Sequence, residues 1–176
     1  MKVTPLPEVE RGGPRRVAVG TFDGVHLGHR EVIAGADTVL TFDPHPVSVV
    51  APQHTPKLIT TLARKAELIA GLGVAEMVVI PFDAEFAARS AASFIDDVLV
   101  GALGAAAVSV GENFRFGHRA QGDPVLLAAD GLIAEPGDVF YLTAPEVLDA
   151  PPSDARDLVA ERLGEPTARP PELLPP

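Results

Sequence analysis

Arg16-Val17-Ala18-Val19-Gly20-Thr21-Phe22-Asp23-Gly24-Val25-His26-Leu27-Gly28-His29 passes from a short apolar run, through a turn, into a helix start. The run Val17 to Val19 has no polar alternation, which suits a strand buried on both faces. Asp23-Gly24 is a turn signal, and His26 to Ile33 can open a helix behind it. The same order recurs downstream. Asp37 to Phe42 is a second β-branched run, stopped by Pro44 and Pro46, and Met77 to Ile80 is a third, closed by Pro81. Ala106 to Val110 reads as a fourth strand and Val139 to Leu142 as a fifth.

Helical periodicity fills the gaps. Thr61 to Leu72 places Leu62, Ala66, Leu68, Ile69 and Leu72 in a helical pattern that ends near Gly71 and Gly73. Ser90 is placed to cap a helix over Ala91 to Leu103, with Phe94, Ile95, Val98 and Leu99 on one face. Strands alternating with helices at this spacing predict an α/β fold, a Rossmann-like, doubly wound parallel sheet of about five strands. Ligands of such sheets lie beyond the carboxyl ends of the strands, at the switch in strand order. Gly20 to His29, Phe42 to Pro46 and Gly111 to Arg119 all follow strands, so the topology alone predicts that they converge.

Composition narrows the function classes. The 176 residues suffice for one domain, expected over 1–164, with a Pro-rich and poorly ordered tail over 165–176. No stretch approaches the roughly 20 apolar residues of a membrane span. Met1 to Pro14 lacks the apolar core of an export signal, so a cytoplasmic location is expected. The absence of Cys rules out disulfides and thiolate metal sites. A net charge of −10 argues against a general nucleic-acid-binding surface, and neither a nucleic-acid nor a membrane partner is expected. It also means that an anionic ligand must be held by backbone N–H groups or by a focused positive spot. Basic residues cluster at Arg11, Arg15 and Arg16, at His26 to Arg30, and at Arg115 to Arg119.

His26-Leu27-Gly28-His29 carries the chemistry. Given 5 His and 16 Gly, such a pattern arises by chance in roughly one per cent of such chains, so its context decides. Here it follows a buried strand and a glycine-containing turn, where backbone N–H groups already favour an anion. Two imidazoles there add donors to phosphate oxygens, and Gly28 leaves room for a nucleotide against the backbone. Nucleotidyl transfer needs little more, because positioning and charge stabilisation carry an in-line attack on the α-phosphorus. A zinc pair is disfavoured, since no third ligand stands at a metal-site spacing. Two surface histidines on a helix start are the bland alternative.

The three motifs together resemble the FMN adenylyltransferase module of the bacterial riboflavin kinase/FAD synthetases, members of the HxGH nucleotidylyltransferases. Gly20 to His29 is similar to that family's nucleotide-binding signature. Thr41-Phe42-Asp43-Pro44-His45-Pro46 is similar to its second motif, beside the flavin. Gly111-Glu112-Asn113-Phe114-Arg115-Phe116-Gly117, followed by Gly122-Asp123, resembles its third. The resemblance implies that ATP and FMN give FAD and pyrophosphate, with Mg²⁺ accompanying the ATP. It implies catalytic roles for His26, His29, Asn113, Ser153 and Arg156. Nucleotide contacts would come from Gly20, Thr21, Phe22, Asp23, Gly28, His29 and Asn113. Flavin contacts would come from Asp43, Pro44, His45, Pro46 and Phe116. No protein metal ligand is expected.

Two departures from that pattern bear on turnover. Only 11 residues, 30–40, separate His29 from Thr41, so the helix carrying His29 must be cut to a turn or two. The family's Ser-Ser-Thr-x-x-Arg-type loop reads here as Pro151-Pro152-Ser153-Asp154-Ala155-Arg156, with both serines replaced by proline. A riboflavin kinase module is not expected in this chain, which would then use FMN made elsewhere. Two readings therefore stand beside adenylyl transfer to FMN. One is a module that binds flavin or adenine nucleotide without turnover, and the other is transfer to a different phosphate acceptor.

Overall fold

The computed structural model describes residues 1–12, 14–129, 132–133 and 139–143. In chain order the elements are β1 (Lys2–Pro5), β2 (Arg15–Val19), α1 (Leu27–Ile33), β3 (Thr38–Asp43), α2 (Pro46–Val50) and α3 (Leu62–Ala70). They continue with β4 (Glu76–Pro81), α4 (Ala84–Ala87), α5 (Ala91–Ser93), β5 (Ala105–Gly111), α6 (Pro124–Ala129), β6 (Leu132–Ile133) and β7 (Val139–Thr143). The strands form one sheet in the order β1-β4-β3-β2-β5-β7-β6. The first five in that order are parallel, while β7 and β6 are joined antiparallel at the β5 edge.

The apolar runs produce a sheet covered on both faces because their residues alternate sides. Val17, Val19, Leu40, Phe42, Val78 and Ile80 face one core, with Phe94, Ile95, Val98 and Leu99 packed on them. Ala18, Val39, Met77 and Val79 face the other, against Ile33 of α1 and Ile69 of α3. The doubly wound parallel architecture is thus as the pattern predicts.

Three details differ from the sequence expectation. Lys2–Pro5 is an additional parallel strand, paired with β4, where only a charged, proline-containing lead-in was expected. The expected fifth strand forms, but antiparallel to β5. The helix capped by Ser90 forms, yet beyond Ser93 it widens into a π-helical segment over Phe94–Ala102, with Leu103 N–H donating to Val98 C=O at 3.0 Å. The expected helix at Ser153 to Leu163 and the tail over 165–176 lie outside the described residues.

The chain crosses from β4 over to β5, on the far side of β2, and this reversal opens a crevice between the ends of β2 and β5. The expected shortening of the helix after His29 is present: α1 has only two turns. It is held at its far end by Ser109 of β5, whose buried hydroxyl donates to Val32 C=O at 2.7 Å. Among the described residues no helix is long and apolar enough to cross a membrane. Leu99 is fully buried under the sheet, so Leu99→Ala is expected to lower unfolding free energy by about 2–5 kcal/mol. The exposed Val125→Ala should change it by no more than about 0.5 kcal/mol; denaturant titration separates the two.

Candidate active site

The loop after β2 is held by a carboxylate. Asp23 accepts the N–H of Ile59 at 2.8 Å, the N–H of Thr60 at 2.9 Å and the Thr60 hydroxyl at 2.8 Å. The Thr60 oxygen accepts in turn from Gly24 N–H at 3.1 Å. These bonds hold a loop in which Phe22 (φ 48°) and Val25 (φ 44°) both occupy the left-handed region, unusual for side chains of that size. Gly20 lets the Phe22 ring fold back, since a Cβ there would stand 2.9 Å from it. Burial works against the charged form of Asp23. The bonds from Ile59 and Thr60, with the Lys65 ammonium, outweigh it and set its carboxyl below the usual range.

His26 then caps α1, its Nδ1 accepting from His29 N–H at 3.4 Å. An accepting Nδ1 places the His26 ring proton on Nε2. The His29 ring stacks on His26, centroids 3.5 Å apart, and meets the edge of Phe22 at 5.4 Å. Among the described residues its Nδ1 is buried without a hydrogen-bond partner. A lone pair is the milder occupant of such a spot, so we assign the His29 proton to Nε2. Burial first, and then the neighbouring His26, push the His29 pKa down to about 4, so the ring is neutral at pH 7. His29 therefore offers an N–H donor and not a fixed charge.

These groups border a cleft of about 1190 Å³. Single-ligand pockets run roughly 300–1,000 Å³, so this one has room for two sizeable partners. The three sequence motifs do meet here. Gly20, Thr21, Phe22, His26, Gly28 and His29 line one side, and His45 and Pro46 another. Asn113 and Phe116 come from the segment after β5. Asn113 Nδ2 contacts its neighbour Glu112 at 3.3 Å. Gly28 has only the His26 ring near its missing Cβ, at 3.5 Å, so its free space faces the cleft. His45 caps α2 through Nδ1, accepting from Val47 N–H at 3.2 Å. Burial and then the Lys65 charge lower its pKa.

Other expected site residues stand elsewhere. Asp23, Asp43 and Pro44 are not on the cleft lining, and the Asp23 carboxylate is spent on backbone N–H groups. Ser153 and Arg156 lie outside the described residues. Arg15, from the first basic cluster, starts β2 at the opposite end of the sheet and pairs with Glu76 at 2.6 Å. Two residues were missed by the motif reading. Arg89 lines the far end of the cleft over the Phe86 ring, 5.2 Å from its centroid. Lys65 is buried behind the motifs; its position on the apolar side of a helix, between Leu62 and Ile69, was the available signal. Among the described residues no group of three or more His, Cys, Asp or Glu side chains could hold a metal ion.

A family model described as FAD synthetase matches residues 10–134. The bifunctional riboflavin kinase/FMN adenylyltransferase of Escherichia coli (strain K12) is 36% identical over 126 residues, covering 66% of this chain and 40% of the relative. The protein of the same name from Listeria monocytogenes is 41% identical over 128 residues, covering 65% and 40%. This chain thus spans about 40% of the length of these curated relatives. A crystal structure titled as a macrolide-efflux protein from Streptococcus pneumoniae superposes with TM-score 0.65 at 20% identity, over 94% of this chain and 71% of that one; it speaks for the fold alone.

Two outcomes follow from this geometry. Asp23→Ala strands two backbone N–H groups and is expected to lower stability by about 1–3 kcal/mol, read by denaturant unfolding. His29 takes up its proton near pH 4 when folded and near 6.5 when free, so the unfolded chain binds more protons between those values. Its contribution to stability is complete above pH 6.5 and is lost as pH falls toward 4. A melting series of wild type against His29→Gln should show a steeper acid loss in wild type across that window.

Proposed function

This chain belongs to the FAD synthetase family, and on that premise we propose that it transfers AMP from ATP to FMN, giving FAD and pyrophosphate. The observation that carries the reading is the stacked His26/His29 pair at the mouth of a cleft large enough for both substrates. A phosphate oxygen of FMN attacks the α-phosphorus of ATP. The new P–O bond forms as the bond to the β-phosphate breaks, and pyrophosphate leaves with the electron pair.

In this reading the Nε2–H donors of His26 and His29 meet the α-phosphate, where negative charge builds in the transition state. A donor that is neutral before the reaction, as His29 is, suits this role, because it grips the transition state without holding the triphosphate too tightly beforehand. A two-turn helix has a weak dipole, so the imidazoles and the N–H groups of the Gly20–Phe22 loop carry more of the task. Asn113 positions the nucleotide across the cleft. His45, Pro46 and Phe116 border the flavin. Arg156 and Ser153 are assigned to the departing pyrophosphate. Mg²⁺ would arrive with the triphosphate and neutralise part of its charge. The acidic surface supports small-molecule substrates over nucleic acid.

The prolines before Ser153 favour one competing view, a module that binds without turnover. Incubating the chain with ATP, Mg²⁺ and FMN separates the two. FAD formation is expected, and His29→Ala should reduce it by on the order of 10²–10³ with the fold intact. Binding of FMN or ATP with no pyrophosphate release would reject adenylyl transfer.

A further inference from the structure

Lys65 is a buried cation that the three motifs leave unexplained. Only 8% of it is exposed, and it lies on the face of α3 turned toward the sheet. Its Nζ donates to the buried Thr41 hydroxyl at 3.4 Å, and that hydroxyl donates to Thr21 C=O at 3.2 Å. One chain of contacts therefore joins α3 to the second motif and the second motif to the first. No carboxylate among the described residues lies within 4.0 Å of the ammonium, so it forms no direct ion pair there. An ammonium has three donors, and among the described residues this one makes a single long hydrogen bond, to a hydroxyl. Such a group is expensive to bury, and an apolar side chain of the same length would serve the fold as well or better.

Resting on the functional reading above, we infer that Lys65 is a positioning residue for the reaction: through Thr41 it ties the first and second motif loops together, and it sets a fixed positive charge behind His29 and His45. The groups that feel this charge come from every neighbouring element. Burial lowers the pKa of Lys65 itself, while Asp23 of the first loop and Asp43 at the end of β3 act in the other direction and favour the ammonium. Burial is the main cause that holds His29 of α1 and His45 at the start of α2 toward their neutral forms, and the Lys65 charge adds to it in both. A buried charge is little screened by salt, so it also attracts a polyanionic ligand into an otherwise acidic protein. The chemistry it serves is a phosphate-bearing substrate beside the neutral His29 donor.

The test compares wild type, K65M and K65R as full chains. Histidine titrations are followed by NMR, FAD formation by kcat and KM, and stability by melting. K65M is expected to fold with an unchanged or raised melting temperature. Its His29 and His45 midpoints should move up from the wild-type values, and its kcat should fall roughly tenfold or more. K65R should restore the midpoints and much of the rate. Unmoved histidine midpoints in K65M overturn the proposal whatever the turnover. Shifted midpoints with wild-type kcat and KM overturn the positioning role. Unfolding of K65M while K65R stays folded assigns the cation to stability and also overturns it. Should wild type make no FAD, adenylyl transfer fails, yet the titrations still decide whether Lys65 governs the histidines.

Discussion

The Asp23 carboxylate is the constraint on which the site depends. It takes two backbone N–H groups and a hydroxyl from Ile59 and Thr60, so the entrance to α3 is fastened to the loop after β2. With that loop fixed, Phe22 and Val25 can stay in backbone conformations that a free chain would leave. Phe22 then supports the His29 ring from the side while His26 stacks on its face. Each contact is modest alone. Together they replace the rigidity that a longer α1 would otherwise provide, and Ser109 secures the other end of that short helix.

In the proposed reading, the anion site of this acidic protein does not depend on arginines and lysines at its centre. His29 is a neutral donor, and among the described residues the only buried cation nearby stands behind the motifs and not on the cleft lining. Guanidinium groups, Arg89 and Arg115 among them, border the cleft elsewhere. This arrangement suits the proposed transfer, in which one phosphate must approach another. Fixed charge at the reacting centre would hold both ground states, whereas directed N–H donors favour the geometry in which charge has moved.

Much of this was legible in the sequence, for a physical reason. Strands buried on both faces need unbroken apolar runs, and Val17 to Val19, Met77 to Ile80 and Ala106 to Val110 show them plainly. Lys2–Pro5 escaped because it is an edge strand with only Thr4 buried, so no apolar run marks it. The direction of Val139–Thr143 escaped because alternation looks the same read either way. The π-helical stretch kept its apolar face and differed only in hydrogen-bond pitch, which side-chain spacing does not report. In the site, order along the chain sufficed to bring the three motifs together. The use of Asp23 did not follow, because its partners Ile59 and Thr60 are more than thirty positions away.

The central claim is that the loop and histidine pair after β2, with Asn113 opposite, form the nucleotide subsite, while His45 and Pro46 after β3 and Phe116 after β5 border the acceptor subsite. Adding a non-hydrolysable ATP analogue and then FMN to ¹⁵N-labelled full chain, with amide and imidazole NMR shifts as the readout, tests it most directly. The analogue should move Gly20, Thr21, Gly28 and His29 and the side chains of His26 and His29, and FMN should then move His45, Val47 and Phe116. Binding of the analogue that leaves Gly20 to His29 unmoved, or no binding at all, would contradict the account.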